Sequence, residues 1–289
     1  MSAPSPPSAA PTHAVASPCP VCGAPTVREE RFGPAPLFRC DACTFVHLAG
    51  EVDPALYGDA YFAAYAGGDY LAEEAQRRHE SRIRLDLLAR LAPPPARLLE
   101  VGAAAGFLLD EARARGYDAV GVEPNDAMAA HARETLGLDV RTGRIGELPL
   151  DAAGFDAACA FHVVEHVDAP LDALRAVHAT LKPGGHLLVE VPNVQSAAAR
   201  RLGAAWQPLD LPYHVGHHGP RSLRTLLERS GFEVLRVDTL PFARYAARGR
   251  VELLARGLAE ALRARAPLPA GPHPTGHQLL RAAARRPPA

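Results

Sequence analysis

The sequence predicts an α/β fold whose core is a doubly wound, mostly parallel sheet, preceded by a small cysteine-based module. Short apolar runs alternate with amphipathic stretches between residues 97 and 240, and this β-α-β order predicts a parallel sheet with helices on both faces. Four of the five cysteines fall within residues 18–50, which predicts a separate module there. A chain of 289 residues has room for one large domain and one such module.

The elements of the sheet domain follow one another in a regular order. The predicted strands are residues 97–102, 118–123, 138–143, 155–161, 186–192 and 232–240. The predicted helices are residues 71–92, 107–116, 125–137, 169–185 and 220–231. Asn125 is the predicted N-cap of the third helix. On the first helix Ile83, Leu87 and Leu91 recur at spacings of four and predict its buried face.

The remaining segments complete the predicted organisation of the chain. Residues 1–17 are rich in Pro, Ala and Ser and predict a disordered lead. Residues 51–96 combine a tyrosine-rich segment with a lid helix, which the main domain follows at 97–240. Residues 241–266 predict an arginine-rich C-terminal helix, and residues 267–289 a weakly ordered tail. The arginine-rich helix suits a solvated cover of the sheet edge or a dimer contact better than an acidic substrate or membrane surface.

The four clustered cysteines predict a metal site. Cys19, Cys22, Cys40 and Cys43 have the spacing C-x2-C-x17-C-x2-C, which is typical of a zinc ribbon over residues 18–50. Four thiolates leave no open coordination position, so the zinc would be structural. Two disulfides are the alternative, which the lack of a secretory signal disfavours. Thr44 stands where such knuckles often carry glycine and predicts a looser second knuckle.

Composition excludes several classes of protein. No stretch approaches about 18 uninterrupted apolar residues, so no membrane-spanning helix is predicted. The first 27 residues contain no Lys or Arg and no apolar core, which disfavours a secretory signal and predicts a cytoplasmic location. A formal net charge of −1 disfavours a surface that binds nucleic acid as a whole.

A glycine-containing turn and an acidic residue predict a nucleoside site. Gly102 and Gly106 lie between a predicted strand and a predicted helix, where they permit a tight turn and the close approach of a ligand. Glu123 ends the next strand, where a carboxylate can accept both hydroxyls of a ribose. The dinucleotide pattern G-x-G-x-x-G is missing, and no G-K-[ST] follows the turn. Nicotinamide dinucleotides and P-loop phosphates are therefore not predicted ligands.

Four segments in this order resemble a known family. They are EVGAAAG (100–106), GVEPN (121–125), FDAACAFHVVEHVDAP (155–170) and LKPGGHLLVEVPN (181–193). Together they resemble the class I S-adenosylmethionine-dependent methyltransferases, in particular the subgroup that includes ubiquinone-type O-methyltransferases. The resemblance covers about residues 97–240 and implies a Rossmann-like fold that uses S-adenosyl-L-methionine as its cofactor.

The resemblance also implies roles for the residues of the glycine turn and the second strand. Glu100, Gly102 and Gly106 would hold the methionine portion of the cofactor, and Glu123 would hold its ribose. Ala104 stands where the family usually has the middle glycine of the turn, which costs backbone freedom but suits a cofactor without phosphates.

Further positions follow from the same resemblance. Gly143, Arg144 and Ile145 would lie beside the adenine, although the Asp that many relatives carry there is missing. Phe161 and His162 end the fourth strand, where relatives contact both cofactor and substrate.

The tyrosines of the segment before the lid helix are candidates for an aromatic lid. Tyr57, Tyr61, Tyr65 and Tyr70 could cover the sulfonium, with Tyr61 as the predicted cofactor contact. The alternative is that these tyrosines pack the ribbon onto the main domain.

His162, Glu165 and His166 form the sharpest candidate for catalysis. In a helical turn these three residues share one face, and some relatives bind a divalent metal through Glu-x-x-Glu-His at this place. The favoured interpretation takes His162 as a general base, with Glu165 and His166 orienting the loop.

A histidine-rich segment follows the fifth strand, where insertions shape the substrate pocket of this fold. Its His214 is a second candidate base. His217 and His218 in the same segment fit a solvated loop equally well.

Three functions remain open at this stage. The first is a methyltransferase that acts on a small molecule, in a biosynthetic pathway and with a homodimer or carrier protein as a compatible partner. The second is an RNA methyltransferase that uses the ribbon for RNA contact. Arg28, Arg31 and Arg39 are balanced there by acidic residues, which disfavours RNA. The third is a non-enzymatic module that binds a cofactor or partner.

Overall fold

The computed structural model of the chain describes residues 18–49, 70–240 and 277–289. The predictions of a disordered lead at 1–17 and of a C-terminal helix at 241–266 concern residues outside this part of the chain. Most of the tyrosine-rich segment lies outside it as well.

The elements predicted between residues 71 and 240 are present in the predicted order, with further short elements between them, and the helix predicted at 169–185 ends at Thr180, where a strand begins. The strands are β1 (Thr26–Arg28), β2 (Leu37–Cys40), β3 (Val46–Leu48), β4 (Arg97–Val101), β5 (Asp118–Glu123), β6 (Asp139–Thr142), β7 (Phe155–Phe161), β8 (Leu181–Pro192), β9 (Gly216–His217), β10 (Glu233–Leu240) and β11 (Leu279–Arg285). The helices are α1 (Glu74–Leu91), α2 (Phe107–Ala114), α3 (Asp126–Glu134), α4 (Pro170–Thr180), α5 (Ala197–Leu202) and α6 (Pro220–Arg229). The side chain of Asn125 caps α3 by accepting a hydrogen bond from the Met128 amide.

The main sheet has seven strands in the order β10-β11-β8-β7-β4-β5-β6. Strands β4 to β8 pair in parallel, whereas β11 runs antiparallel to both of its neighbours. The winding reverses between β4 and β7, so a crevice opens at the C-terminal ends of these strands, where α/β sheets of this kind bind ligands. The predicted Rossmann-like, doubly wound fold is confirmed.

Two predictions about individual elements are wrong. The fully buried hydrophobic residues of α1 are Leu85 and Leu88, and the predicted face at 83, 87 and 91 is only half-buried. The buried face differs from the predicted one because α1 packs against α2 and turns a polar side of the helix towards the crevice. The tail at 267–289 is not weakly ordered throughout, since β11 pairs along its whole length with β8. The side chains of Leu280, Ala282 and Ala284 are buried in the apolar core on one face of the sheet.

The cysteine module is joined to the main domain by its sheet. Strands β1, β2 and β3 form a small antiparallel sheet, and β9, from the main domain, adds to it as a fourth strand. Residues of the module such as Cys43 and Phe45 belong to the same apolar core as Leu226 of α6. Among the helices of the described ranges, none is long and apolar enough to cross a membrane.

Candidate active site and cysteine cluster

A cavity of about 650 Å³ lies at the C-terminal ends of β4, β5 and β7. Most of the residues that the sequence assigns to a cofactor line it, and these are Glu100, Gly102, Ala104, Glu123, Gly143, Arg144, Ile145 and Phe161. His162 and His166 line the same cavity. Cavities of this size hold small organic ligands. Tyr61, with Tyr57 and Tyr65, lies outside the described residues, whereas Tyr70 lines the cavity.

The turn between β4 and α2 needs glycine at two places. Gly102 has a φ of +74°, and a Cβ added there would lie 2.4 Å from a methyl group of Val163. Gly106 has a φ of +84° and packs against Ala132 and Leu138, so it shapes the turn from outside the cavity. Ala104 adopts a φ of +45°, a conformation that costs a residue with a side chain about 1–2 kcal/mol.

Glu123 joins the glycine turn to the second strand. One carboxylate oxygen accepts a hydrogen bond from the Ala104 amide at 2.8 Å, and the other accepts one from the Asn125 amide at 2.9 Å. The side chain is buried at the cavity wall. Burial raises the pKa of Glu123, and the two amide hydrogen bonds oppose this effect. A carboxylate fixed in this way has acceptor capacity left for the hydroxyls of a ribose.

Glu100 offers a buried carboxyl group to a cationic ligand. It is buried at the cavity wall, and its Oε2 has no hydrogen-bond partner among the described residues. Burial and the carboxylate of Glu123 raise the pKa of Glu100 well above its ordinary value, against the charge of Arg84. A buried acceptor without a partner is costly. An ammonium group such as that of a methionine would therefore fit this position.

One side of the cavity comes from α1, the helix expected to act as a lid, but its lining residues were not predicted individually. Arg77, Ser81 and Arg84 line it. They recur at i, i+4 and i+7, so a polar stripe of helical period was the available signal. Arg84 lies over the Phe161 ring at 4.5 Å and pairs with the buried Glu190 at 2.7 Å.

His162 and Glu165 form a hydrogen-bonded pair at the end of β7. His162 has a φ of +59°, and its Nδ1 lies 3.2 Å from Glu165 Oε1. Glu165 is 1% exposed. Burial alone would raise the pKa of Glu165, but the hydrogen bond from His162 and the nearby imidazoles lower it to about 2. Glu165 is thus the negatively charged partner in its contact with His162.

Two further histidines, His166 and His214, lie close to Glu165. The ligand atoms of Glu165, His166 and His214 lie within 4.8 Å of one another, so the compact set contains His214 where the sequence suggested His162. The nitrogens Nδ1 of His166 and His214 lie within hydrogen-bond distance of backbone carbonyls, at 3.1 and 2.8 Å. Burial and the charge of His214 lower the pKa of His166 to about 3.

The solvated-loop interpretation of the two following histidines is wrong. His217 is 2% and His218 0% exposed. Nε2 of His217 and both ring nitrogens of His218 lack a hydrogen-bond partner among the described residues. Burial first, and the charge of His214 second, lower the pKa of His217 to about 3. His217 is buried in strand β9, which pairs with β3, and the ring of His218 lies against the Phe45 ring of the module.

The four cysteines of the module converge as predicted. Their Sγ atoms all lie within 4.8 Å of one another, with 3.5 Å between Cys19 and Cys43 and 3.4 Å between Cys22 and Cys40. None is in a disulfide. A tetrahedral Zn–S distance of about 2.3 Å gives sulfur separations of about 3.8 Å, so the cluster is compatible with zinc. Thr44 has a φ of +69°, which explains why glycine is usual there.

Comparison with known proteins identifies relatives at the level of sequence. Residues 72–237, more than half of the chain, match a family described as a methyltransferase domain. The chain is 33% identical to a probable S-adenosylmethionine-dependent methyltransferase of Mycolicibacterium smegmatis, over 50% of this chain and 53% of that relative. It is 36% identical to the ubiquinone biosynthesis O-methyltransferase of Xanthomonas campestris, over 47% of this chain and 61% of the relative. It is 31% identical to the ubiquinone biosynthesis O-methyltransferase of Xanthomonas axonopodis, over 58% of this chain and 76% of that relative.

Solved structures share the fold at lower identity. A possible histamine N-methyltransferase from Thermotoga maritima superposes with a TM-score of 0.54 at 23% identity, over 78% of this chain and 98% of that chain. An S-adenosylmethionine-dependent methyltransferase from Archaeoglobus fulgidus superposes with a TM-score of 0.53 at 20% identity, over 75% of this chain and 98% of that chain. At these identities the similarities show the fold alone.

Proposed function

We propose an acceptor class from one premise: the chain belongs to the methyltransferase-domain family and is an S-adenosylmethionine-dependent methyltransferase. The acceptor is a hydroxyl group of a small organic molecule. The relatives named ubiquinone biosynthesis O-methyltransferase support oxygen as the acceptor atom. The cavity of about 650 Å³ supports a small acceptor.

The observation that carries the proposal is the contact between His162 and Glu165. The His162 ring lines the cavity, and its Nδ1 lies 3.2 Å from the buried carboxylate. In the tautomer in which Nδ1 donates to Glu165, Nε2 is the basic atom. His162 is therefore the general base that takes the proton of the acceptor hydroxyl, and Glu165 orients the ring and stabilises its charged form.

The cofactor residues have separate tasks in this proposal. S-adenosylmethionine, when bound, supplies an electrophilic methyl group on a sulfonium sulfur. Glu123 holds the ribose hydroxyls and Glu100 the amino group of the methionine portion. The close turn at Gly102 lets the backbone approach the cofactor. These residues align the methyl group for in-line transfer to the hydroxyl oxygen and exclude water from it.

A divalent metal is the second candidate for activating the acceptor. Glu165, His166 and His214 present a carboxylate and two imidazoles within 4.8 Å, which suits a transition metal better than magnesium. A metal there would lower the pKa of a bound hydroxyl group. Glu165 Oε2, which has no hydrogen-bond partner among the described residues, favours this candidate.

RNA is the less supported acceptor. Arg31 and Arg39 of the ribbon pair with Glu29, and Arg39 also pairs with Asp41. Arg28 donates to the carbonyl of Pro34. The described ribbon residues thus offer no row of uncommitted positive charge for a phosphate backbone.

The test of the function is the capture of the methylated product. Cell extract incubated with the protein and isotopically labelled S-adenosylmethionine is separated and measured by mass spectrometry. We expect label on the oxygen of a small molecule. Label on RNA, on nitrogen or on carbon would contradict the proposed acceptor class.

Replacing Glu123 with alanine is expected to weaken the binding of S-adenosylmethionine about 10- to 100-fold, because hydrogen bonds to a charged group contribute about 1.5–3 kcal/mol. The variant also leaves the amides of Ala104 and Asn125 without their acceptor. Isothermal titration calorimetry measures the affinity. Glu134→Ala, which removes an exposed carboxylate from α3, is the matched control. If Glu123→Ala and the wild type bound S-adenosylmethionine with equal affinity, the proposal that Glu123 holds the ribose would be wrong.

Replacing Cys40 with serine tests our proposal that the cysteine cluster holds zinc. We expect the purified chain to lose its zinc, because a structural site needs all four thiolates. Cys159→Ser removes the fifth cysteine, which lies in β7 and outside the cluster, and should keep the metal. Elemental analysis of both variants measures the metal. Full zinc content in Cys40→Ser would contradict the site.

A further inference from the structure

The segment that carries His214, His217 and His218 is bound to the cysteine module through its backbone. Val46 and His47 of β3 pair with His217 and Gly216 of β9. The Leu48 amide donates to the carbonyl of Val215 at 2.8 Å. This segment is therefore the edge strand of the small sheet as well as part of the main domain.

The same segment is bonded to the loop that carries the proposed base pair. The Val215 amide donates to the Glu165 carbonyl at 2.9 Å. Val215 thus links Leu48 of the module, on one side, to Glu165 on the other. Displacement of β9 from the module would alter the position of Glu165.

Ring packing reinforces this link at the second cysteine knuckle. Phe45 follows Cys43 by two residues, and its carbonyl accepts a hydrogen bond from the Cys40 amide. Its ring lies 4.7 Å from the ring of His218. A Cβ at Gly216 would lie 2.8 Å from Phe45 Cζ, so the ring and the strand are in tight contact.

The first knuckle is fixed to the main domain independently. Arg229, at the end of α6, donates to the carbonyl of Val21 at 3.0 Å, and Val21 lies between Cys19 and Cys22. Both knuckles of the cluster therefore contact the main domain. The strands that carry Glu100 and Glu123, by contrast, have their ladder partners within the main sheet.

We infer that the metal-bound cysteine module positions Glu165 and the 214–218 segment, which form the wall behind the acceptor side of the cavity. The inference rests on the proposed function in taking His162 and His166 as the acceptor side. Opening of β3 from β9 would release the histidines and disturb the His162–Glu165 pair, while the cofactor side stays in place. The module is thus a positioning element of the site rather than a separate binding domain.

The experiment uses the full chain with a proline at one of two neighbouring positions. Leu48→Pro removes the amide that donates to Val215. Ala49→Pro is the matched control, because it removes the amide that donates to Pro36 at 2.9 Å within the module. Diethyl pyrocarbonate modifies accessible imidazoles, and peptide mass spectrometry gives the rate for each histidine. The half-buried His131 and His186 serve as internal references.

We expect Leu48→Pro to raise the modification rates of His214 and His217 about fivefold or more, the factor that corresponds to one lost hydrogen bond of about 1 kcal/mol. Zinc content and S-adenosylmethionine affinity should stay unchanged, and Ala49→Pro should behave as the wild type. Unchanged rates in Leu48→Pro, or an equal rise in both variants, would overturn the inference. If Leu48→Pro lost its zinc, the histidine modification rates would be measured on wild-type protein from which a chelator has removed the zinc. Rates unchanged by this treatment would overturn the inference. Failure of the wild type to bind S-adenosylmethionine would instead count against the proposed function.

Discussion

Replacing Glu190 with alanine is expected to lower the free energy of unfolding by about 3–5 kcal/mol, the usual cost of breaking a buried ion pair from one side. Glu190 lies in β8 and is 1% exposed. Its Oε2 accepts a hydrogen bond from Nε of Arg84 at 2.9 Å, and its Oε1 accepts one from Nε of Arg281 at 2.6 Å. Removal of the carboxylate takes this partner from two largely buried guanidinium groups, and the Glu80 carboxylate that Arg84 keeps lies 4.0 Å away. The same change removes the side-chain links from β8 to α1 and to β11.

Urea denaturation of the full chain measures this loss, and Glu233→Ala is the matched control. Glu233 pairs with Arg285, which also belongs to β11, but its side chain is 49% exposed. Exposed pairs contribute about 0–1 kcal/mol. Similar losses of unfolding free energy in Glu190→Ala and Glu233→Ala would contradict the prediction that the buried ion pair contributes more to stability than the exposed one.

The same carboxylate gives the stability a defined dependence on pH. Burial alone would raise the pKa of Glu190, but the charges of Arg281 and Arg84 lower it to about 2. An unfolded glutamate titrates near about 4.3. The contribution of Glu190 is therefore fully present above that pH and is lost as the pH falls towards 2. The wild type should lose more stability over this range than Glu190→Ala.

Much of the main domain could be predicted because its signals are local. The strands at 118–123 and 155–161 have the bounds that their apolar runs predict. The turn at Gly102 and the acceptor Glu123 follow from the strand ends, since parallel strands bring their C-terminal ends to one edge.

The remaining elements depend on contacts that are distant in sequence. Strand β11 is rich in alanine, which has little strand preference, and it forms because β8 and β10 both offer a free edge. Strand β9 has two residues and is defined by its pairing with β3. His217 is buried in that strand, and the ring of His218 lies against the Phe45 ring of the module. The ladder contacts that join such segments cannot be found from the periodicity of either one.

Replacing His162 with glutamine is expected to lower the rate of methyl transfer about 10²- to 10⁴-fold, the usual contribution of a general base. The affinity for S-adenosylmethionine should remain, because the proposed contacts to the ribose and the methionine portion, Glu123 and Glu100, lie on β5 and β4. Transfer of isotopic label to the product in extract measures the rate, and calorimetry measures the affinity. His186→Gln, on β8 and half-buried, is the matched control. A rate equal to that of the wild type would contradict the base.

The pattern across the neighbouring histidines separates the base from a metal. A general base predicts a large loss for His162→Gln, smaller losses for His166→Gln and His214→Gln, and no recovery of the His166→Gln and His214→Gln variants on adding a divalent transition metal. Without its base the variant should regain rate at alkaline pH, because the acceptor hydroxyl then ionises in solution. A metal at Glu165, His166 and His214 predicts the reverse order, with equal losses for both histidine ligands and recovery on adding a divalent transition metal. Since Glu165 belongs to both arrangements, Glu165→Gln lowers the rate in either case, and the histidines carry the distinction.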